Sequence, residues 1–328
     1  MKVIKSSIKY APIIIFTFNR IRHLKKTINS LKKNKISTHS DLIIFSDGAA
    51  SDNQRESIKK VRNYIKKING FKSLKIYHRN KNYGLSENII SGISKVFKTY
   101  HSAIILEDDL LLNKFFLNYM NDGLLKYKNT NHVASIHGYI YPIQFKKNIP
   151  EYFFLKGADC WGWATWKRAW KNFDRNGKRL INKIDQKNLN KEFNFNNSYD
   201  YYQMLKKQIL RLNNSWAIRW YASAFLKNMI TLYPTKTFVK NIGADGSGTH
   251  GKSNKKLNFN NFSQRKYKSI KKMKISLNEN THAKKYIENY FKKNSESFIK
   301  KKIKNIYFMK IIYKILPRNL INLLKSFM

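Results

Sequence analysis

The sequence contains one cysteine, Cys160, and no long apolar run. A single cysteine excludes an internal disulfide and a zinc site built on cysteines, and it is compatible with a reducing compartment. Without a run of roughly 18 apolar residues, no transmembrane helix is predicted. The basic N-terminus is followed by an apolar stretch that is too short for a signal peptide. We therefore expect a cytoplasmic protein.

Acidic residues are scarce. Asp and Glu number 19 among 328 residues, against 65 Lys and Arg, which gives a formal net charge of +46. Such a surface attracts polyanions, including nucleic acid, anionic lipid and phosphorylated substrates. The cations are scattered along the chain, however, and no helix-turn-helix, zinc-finger spacing or RNA-binding signature accompanies them. We expect no nucleic-acid partner.

Glycine-rich phosphate-binding turns are also missing. Apolar runs at 12–18, 42–46, 74–77 and 103–106 predict buried strands, and the segments between them show helical spacing. This alternation predicts an α/β fold with a doubly wound, mostly parallel sheet. Because no Gly-rich turn follows the first strand, a Rossmann dinucleotide site and a P-loop are both excluded. A bound diphosphate would need another source of positive charge.

Three consecutive carboxylates, Glu107, Asp108 and Asp109, follow the fourth predicted strand. Adjacent acids repel one another and are costly to desolvate. A hard divalent cation takes oxygen ligands and bridges phosphate oxygens, and ligands of open α/β sheets bind at the carboxyl ends of strands. We interpret the triplet as a metal and nucleotide site. The alternative is an acidic turn that merely ends a strand.

Polar residues follow the other predicted strands as well. An Asp after the second strand can accept a hydrogen bond from a base or a ribose hydroxyl, and a turn with glycine leads into the third helix. The candidate donor-binding residues outside the triplet are Thr17, Asn19, Arg20, Asp47, Asn82, Gly84 and Asn88.

Together, segments 13–20, 47–48, 82–88 and 107–109 resemble the nucleotide-binding half of GT-A glycosyltransferases, close to family 2. The triplet resembles the DXD-type motif of the N-acetylglucosaminyltransferase I group. That resemblance implies a Rossmann-like, mostly parallel sheet flanked by helices. It also implies that Asp109 binds Mn²⁺ or Mg²⁺, while Glu107 and Asp108 contact a nucleotide-sugar donor.

Residues 161–166 read WGWATW and resemble a signature of bacterial family-2-like sugar transferases of the "hemolytic protein-like" type. A glycine between two indoles lets backbone and ring approach a ligand closely. We expect Trp161, Gly162 and Trp163 to form a wall of the sugar or acceptor pocket. The alternative is a hydrophobic wedge in the core.

Two further site residues come from the resemblance. Inverting enzymes of this type place an Asp general base between the Gly-Trp segment and the last strand, and Asp200 fits that position, with Asp174 as its rival. From the residues alone, Asp200 is also explained as a charge at a helix N-terminus. The DGSGTH segment at 245–250 implies His250 as a second metal ligand, or else a loop histidine without a ligand.

We expect a GT-A domain over 1–251, with a nucleotide half at 10–112 and an acceptor half at 113–251. A basic, partly helical C-terminal extension is expected over 252–328, poorly packed up to 285. Its segment 286–328 alternates apolar and basic residues. That pattern predicts either peripheral contact with the anionic inner face of the cytoplasmic membrane or a helix packed on the domain.

The expected function is metal-dependent, inverting transfer of a sugar from a nucleoside diphosphate donor, with a UDP-sugar as first choice. The acceptor would be a glycan or a lipid-linked saccharide. Two alternatives remain open at this point. One is a nucleotidyltransferase acting on sugar phosphates, which would normally carry a richer first loop. The other is a non-enzymatic basic protein that binds polyanions or membranes.

Overall fold

The computed structural model describes residues 10–246, 262 and 267–295. In the first third of the chain, strands and helices alternate as predicted, and strands β1, β2 and β4 are almost entirely buried. Continuous burial explains why their sequences are apolar runs rather than alternating patterns. The elements are β1 (Ile13–Thr17), α1 (Ile21–Lys32), β2 (Asp41–Ser46), α2 (Arg55–Ile65), β3 (Ser73–His78), α3 (Gly84–Val96) and β4 (Ser102–Glu107).

The second part of the chain mixes short strands with a group of helices. Its elements are β5 (Leu110–Leu112), α4 (Phe116–Lys126), β6 (Val133–His137), β7 (Tyr152–Lys156), β8 (Trp163–Trp166), α5 (Lys167–Trp170), α6 (Gly177–Gln186), α7 (Asn190–Phe193), α8 (Tyr201–Ile209), α9 (Trp216–Leu226), β9 (Ile230–Pro234) and β10 (Val239–Asn241). Residues 281–295 are helical as well and are called α10 here.

One eight-stranded sheet runs in the order β3-β2-β1-β4-β8-β6-β9-β7. Strands β1 to β4 are parallel to one another, and β6 is parallel to β9; β8 runs antiparallel to β4 and β6, and β7 runs antiparallel to β9. Strands β5 and β10 form a separate antiparallel pair. Helices flank the sheet. The predicted α/β architecture with a mostly parallel sheet is confirmed.

The register of this sheet gathers several loops at one edge. Thr17 at the end of β1 pairs with Ser46, and Phe16 pairs with Glu107, so strands β1, β2 and β4 end side by side. Strand β8 runs the opposite way and begins beside the end of β4, where Ile105 pairs with Trp163. The acidic triplet and the loop 157–162 therefore lie at the same edge, which is where open α/β sheets bind ligands.

Part of the C-terminal segment packs on this domain. Within 267–285, which we expected to be poorly packed, Ile270 and Ala283 are fully buried, and the Tyr267 hydroxyl donates to Asp122 at 2.7 Å. In α10, Ile287 and Phe291 are also buried against the domain. The packed-helix alternative thus describes residues 286–295.

The rest of the predicted membrane-binding segment, 296–328, lies outside the described residues. Within the described part of the chain, no helix has the length and apolar character needed to cross a membrane. A cytoplasmic location and contact with an anionic membrane stay predictions.

Candidate active site

The acidic triplet lies at the turn between β4 and β5. Two hydrogen bonds to backbone carbonyls of this turn hold it in place. The Thr27 hydroxyl donates to the Asp108 carbonyl at 2.7 Å, and the Ile242 N–H donates to the Asp109 carbonyl at 2.8 Å. The Asp108 and Asp109 side chains are only 6% and 12% exposed. The fold therefore fixes two nearly buried carboxylates at the carboxyl edge of the sheet.

Asp108 is the more firmly held of the two. Its Oδ2 accepts hydrogen bonds from the Thr17 hydroxyl at 2.8 Å and from the Phe18 N–H at 3.3 Å, and its Oδ1 lies 2.8 Å from Arg20 Nη2. Burial raises the pKa of Asp108, although Arg20 and the Thr17 hydroxyl act in the opposite direction. Asp108 thus joins the end of β1 to the end of β4.

Arg20 bridges the two carboxylates. The same nitrogen, Nη2, lies 2.7 Å from Asp109 Oδ2. Burial alone would lower the pKa of Arg20, but the charges of Asp108 and Asp109 outweigh it and raise the pKa. The third acid, Glu107, is not bridged. Desolvation, followed by the charges of Asp109 and Asp108, raises its pKa to about 8.

The donor atoms at this turn suit a hard divalent cation. Oxygens of Asp108 and Asp109 converge on one positively charged nitrogen. In sites that bind substrate phosphates, Mg²⁺ is commonly held by one or two carboxylates together with those phosphates. The residues therefore fit Mn²⁺ or Mg²⁺, provided that Arg20 withdraws. No cluster of three His, Cys, Asp or Glu side chains around a metal position occurs among residues 10–246, 262 and 267–295. His250 lies outside the described residues.

Gly243 brings a second loop against the triplet. A Cβ added at this position would overlap the Asp109 carboxylate and would also lie 3.1 Å from Arg20 Nη1. Beside it, Asp245 Oδ2 lies 3.0 Å from Nε2 of His23 in α1. The absence of a side chain at 243 allows the backbone after β10 to lie directly on the proposed metal ligand.

The other predicted donor-binding residues lie at the same edge, but several serve the fold. Asp47 Oδ1 accepts from the N–H groups of Gly48 at 2.9 Å and Tyr83 at 2.8 Å, and Asn82 donates to the Gly48 carbonyl at 2.8 Å. These bonds tie the turn before α3 to the end of β2. They leave Asp47 Oδ2 with only a 3.5 Å contact from Asn82.

The remaining predicted donor-binding residues outside the triplet are Gly84, Asn88 and Asn19. Gly84 begins α3 with φ of +68°, a conformation that favours glycine. Asn88 is 2% exposed and accepts a hydrogen bond from Arg79 at 3.0 Å, and its contact with a donor stays a prediction. Asn19 is half-buried in the turn between β1 and α1.

The WGW segment divides between the core and the site edge. Trp163 is fully buried and stacks on Trp216 with ring centroids 5.6 Å apart, so the prediction that it lines a pocket is wrong. Trp163 lies in β8 and packs in the core, as the alternative of a hydrophobic wedge predicts. Trp161 is half-buried, and Gly162, with φ of +63°, accepts the Gly138 N–H at 2.8 Å.

The two candidate bases have different environments. Asp200 is exposed and caps α8, since its Oδ1 accepts the Gln203 N–H at 3.0 Å. Asp174 is held by Arg179 through two contacts of 2.6 Å, and this hydrogen bonding lowers its pKa. Arg179 engages both carboxylate oxygens of Asp174, whereas the capping bond of Asp200 uses Oδ1, so the geometry favours Asp200 over Asp174.

Comparison with known proteins gives a family. The model of the family described as glycosyl transferase family 2 matches residues 13–185, more than half of the chain. The chain belongs to glycosyl transferase family 2. The matched region includes β1, the Asp47 turn, the acidic triplet and the WGW segment. The sequence-based expectation of a GT-A glycosyltransferase is therefore confirmed at the level of the family.

Similarity to solved structures is weaker. Staphylococcus aureus TarS shares 17% sequence identity with this chain; the match covers 42% of this chain and 24% of TarS, with a TM-score of 0.29. The structure of TarS 1-349 shares 13% identity; that match covers 70% of this chain and 59% of the TarS fragment, with a TM-score of 0.38. The mannosyltransferase PcManGT from Pyrobaculum calidifontis, solved with GDP-Man and Mn²⁺, shares 14% sequence identity. This match covers 40% of this chain and 37% of PcManGT, with a TM-score of 0.31.

The chain thus spans between about a quarter and three fifths of the length of these structures. Similarity at this level does not carry an assignment of substrate. No curated protein matched the chain.

One carboxylate near the triplet was not among the predicted site residues. Asp159 lies in the loop 157–162, next to Cys160. Burial raises the pKa of the Cys160 thiol, and the charges of Asp159 and then Glu107 raise it further, so this loop lies within electrostatic reach of the triplet. Asp159 belongs to the Gly-Trp segment, but nothing in its sequence context distinguishes it from a loop acid. Only the tertiary structure does.

Proposed function

We propose that this glycosyltransferase catalyses metal-dependent, inverting transfer of a sugar from a nucleoside diphosphate donor to a glycan or lipid-linked saccharide acceptor. A UDP-sugar is the proposed donor. The observation that carries the proposal is the pair of nearly buried carboxylates, Asp108 and Asp109, which share one cationic nitrogen at the carboxyl edge of the sheet. Family membership supports sugar transfer in general.

The proposed donor site runs from Asp47 to the triplet. Asp47 Oδ2, which has a 3.5 Å contact with Asn82, is the proposed acceptor for a hydroxyl or N–H group of the nucleoside. Bound by Asp109 and phosphate oxygens, Mn²⁺ or Mg²⁺ would supply positive charge to the departing diphosphate. Arg20, once it leaves Asp109, is a second cation beside the diphosphate. Asp108 keeps its bonds to Thr17 and Phe18 and thereby holds the turn.

Asp200 is the proposed general base. A single displacement with inversion needs a carboxylate that takes the proton of the acceptor hydroxyl as this hydroxyl attacks. The capping bond from Gln203 orients the Asp200 carboxylate through Oδ1, while Oδ2 remains for the acceptor proton.

A thermal-shift panel tests this function. The protein is melted with UDP, GDP, CMP or dTDP, each with Mn²⁺ and with EDTA. A ligand at 100 times its Kd stabilises the native state by about 2.7 kcal/mol, which raises Tm by several degrees. We expect such a rise with UDP, and only when Mn²⁺ is present. Equal melting temperatures under all conditions would contradict the proposal.

A further inference from the structure

A continuous line of aromatic rings connects the Gly-Trp segment to the N-terminus of α8. Trp161 lies 4.8 Å from Tyr139, Tyr139 lies 5.5 Å from Tyr141, and Tyr141 lies 4.9 Å from Phe291, all measured between ring centroids. Phe291 in turn lies 4.8 Å from Tyr199, which precedes the capping residue of α8. We call these five rings the aromatic wall. It ends beside Asp200.

The wall is assembled from segments that are far apart in sequence. Tyr139 and Tyr141 follow β6, Tyr199 precedes α8, and Phe291 belongs to α10. Three of its members reach the surface: Trp161 and Tyr141 are half-buried, and Tyr199 is 39% exposed. Tyr139 and Phe291 are buried, so α10 packs a supporting ring against Tyr141 and Tyr199.

Asp159 lies along the wall. Its side chain is 25% exposed, and its Oδ1 accepts the Cys160 N–H at 2.8 Å. Its Oδ1 also lies 3.9 Å from Nε2 of His137, and the His137 ring meets the Tyr139 ring edge-on with centroids 6.1 Å apart. A partly exposed carboxylate therefore lies close to the wall, and after burial its charge contributes to the raised pKa of Tyr199 at one end and of Tyr139 within it.

A buried histidine fixes the loop that carries Asp159. His137 is fully buried, and its Nε2 accepts the Trp161 N–H at 3.1 Å and lies 3.9 Å from Asp159 Oδ1. Since Nε2 accepts, the neutral ring carries its proton on Nδ1, which has no hydrogen-bond partner within the described part of the chain. His137 therefore holds the loop 157–162 in place and keeps Trp161 and Asp159 close to each other.

We infer that the aromatic wall and Asp159 bind a neutral saccharide of the acceptor, with Asp159 accepting a hydrogen bond from a sugar hydroxyl. The inference rests on the proposed function. Sugars present C–H faces to aromatic rings and hydroxyls to carboxylates, and ligand sites combine apolar walls with few polar groups in this way. The negative charge of Asp159 repels a carboxylate or phosphate, so the sugar unit at this position is uncharged. Asp200 at the end of the wall then meets the attacking hydroxyl.

Acceptor kinetics of the full-length enzyme test the inference. The probes are methyl glycosides of neutral hexoses and N-acetylhexosamines, together with the matching methyl uronides. Asp159→Asn is compared with Asp185→Asn, because Asp185 is exposed and bonds only to the Tyr202 hydroxyl and the Asn190 amide. For the best neutral probe, Asp159→Asn should raise KM about tenfold or more, as loss of a charge-assisted hydrogen bond predicts.

Three further readouts accompany KM. Hydrolysis of the donor without acceptor, and the Mn²⁺-dependent nucleotide shift, should be unchanged in Asp159→Asn. Discrimination against uronides should weaken in this variant, because the repelling charge is gone. Tyr199→Leu should also raise the acceptor KM, and Asp185→Asn should behave like wild type.

The outcomes separate this inference from the proposed function. If wild type neither binds a nucleotide nor hydrolyses a donor, the proposed function fails and this inference fails with it. If the donor is hydrolysed but Asp159→Asn leaves the acceptor KM unchanged, the inference alone is overturned. It is also overturned if Asp159→Asn abolishes donor hydrolysis, which would place Asp159 in the donor site, or if wild type hydrolyses the donor but uses no neutral saccharide.

Discussion

Replacing Asp108 with alanine should destabilise the protein much more than replacing the adjacent Asp109. Truncation of Asp108 leaves the Thr17 hydroxyl, the Phe18 N–H and one Arg20 contact without their acceptor in a nearly buried turn. Breaking a buried charged network by removing one member costs about 3–5 kcal/mol. Because Arg20 would keep its bond to Asp109, we expect the lower end, about 3 kcal/mol.

Asp109→Ala removes a single contact, the one with Arg20 Nη2. Arg20 retains Asp108, its side chain is 21% exposed, and one of three adjacent negative charges disappears. Because Arg20 keeps its bond to Asp108 and the repulsion among the adjacent carboxylates is relieved, the free energy of unfolding should fall by less than in Asp108→Ala. The same variant should lose all Mn²⁺-dependent stabilisation by UDP.

Urea denaturation without metal or nucleotide measures the first effect, and thermal shift with UDP and Mn²⁺ measures the second. Asp108→Asn is the matched control, since it keeps an acceptor oxygen and should be less destabilised than Asp108→Ala. The roles assigned to the two carboxylates would be wrong if Asp109→Ala were as unstable as Asp108→Ala, or if Asp109→Ala still gained stability from UDP and Mn²⁺.

The remaining predictions concern the base, the adjacent loop and pH. Asp200→Asn should keep Mn²⁺-dependent nucleotide binding and lower the transfer rate by about 100-fold or more; full transfer would exclude Asp200 and direct the same test to Asp174. Gly243→Ala should weaken Mn²⁺-dependent UDP binding in calorimetric titrations, because its Cβ overlaps the Asp109 carboxylate, and unchanged affinity would contradict this geometry. Burial lowers the pKa of His137, so below pH 6.5 the unfolded chain binds more protons than the folded chain. Stability should therefore fall as pH drops below about 6.5. In pH-dependent melting curves, His137→Gln should reduce this fall. A pH profile identical in His137→Gln and wild type would be the contrary result.

The sheet and the triplet were predictable because both depend on local sequence. Strands β1, β2 and β4 are buried on both faces and therefore read as uninterrupted apolar runs. Parallel strands end at one edge, so the positions of Thr17, Asp47 and Asp109 relative to one another followed from the strand order alone. The Mn²⁺ site itself stays a prediction, with Asp109 at the required place.

The errors arose where tertiary packing decides. Trp161 and Trp163 are two residues apart with the same chemistry, yet only Trp163 enters the core, because β8 inserts between β4 and β6. Asp200 has a capping bond that agrees with both of its sequence interpretations. The apolar face of α10, formed by Ala283, Ile287 and Phe291, is obscured in sequence by lysines.

Release of nucleoside diphosphate from UDP-, GDP- and dTDP-sugars, and of CMP from a CMP-sugar, is the most direct test of the central claim. Wild type and Asp109→Ala are assayed with Mn²⁺ and with EDTA, since the Asp109 carboxylate is the proposed metal ligand. We expect wild type to release UDP from one UDP-sugar with Mn²⁺, EDTA to abolish the release, and Asp109→Ala to be inactive although folded. Release that is indifferent to EDTA and to Asp109→Ala, or the absence of release from every donor, would contradict that claim.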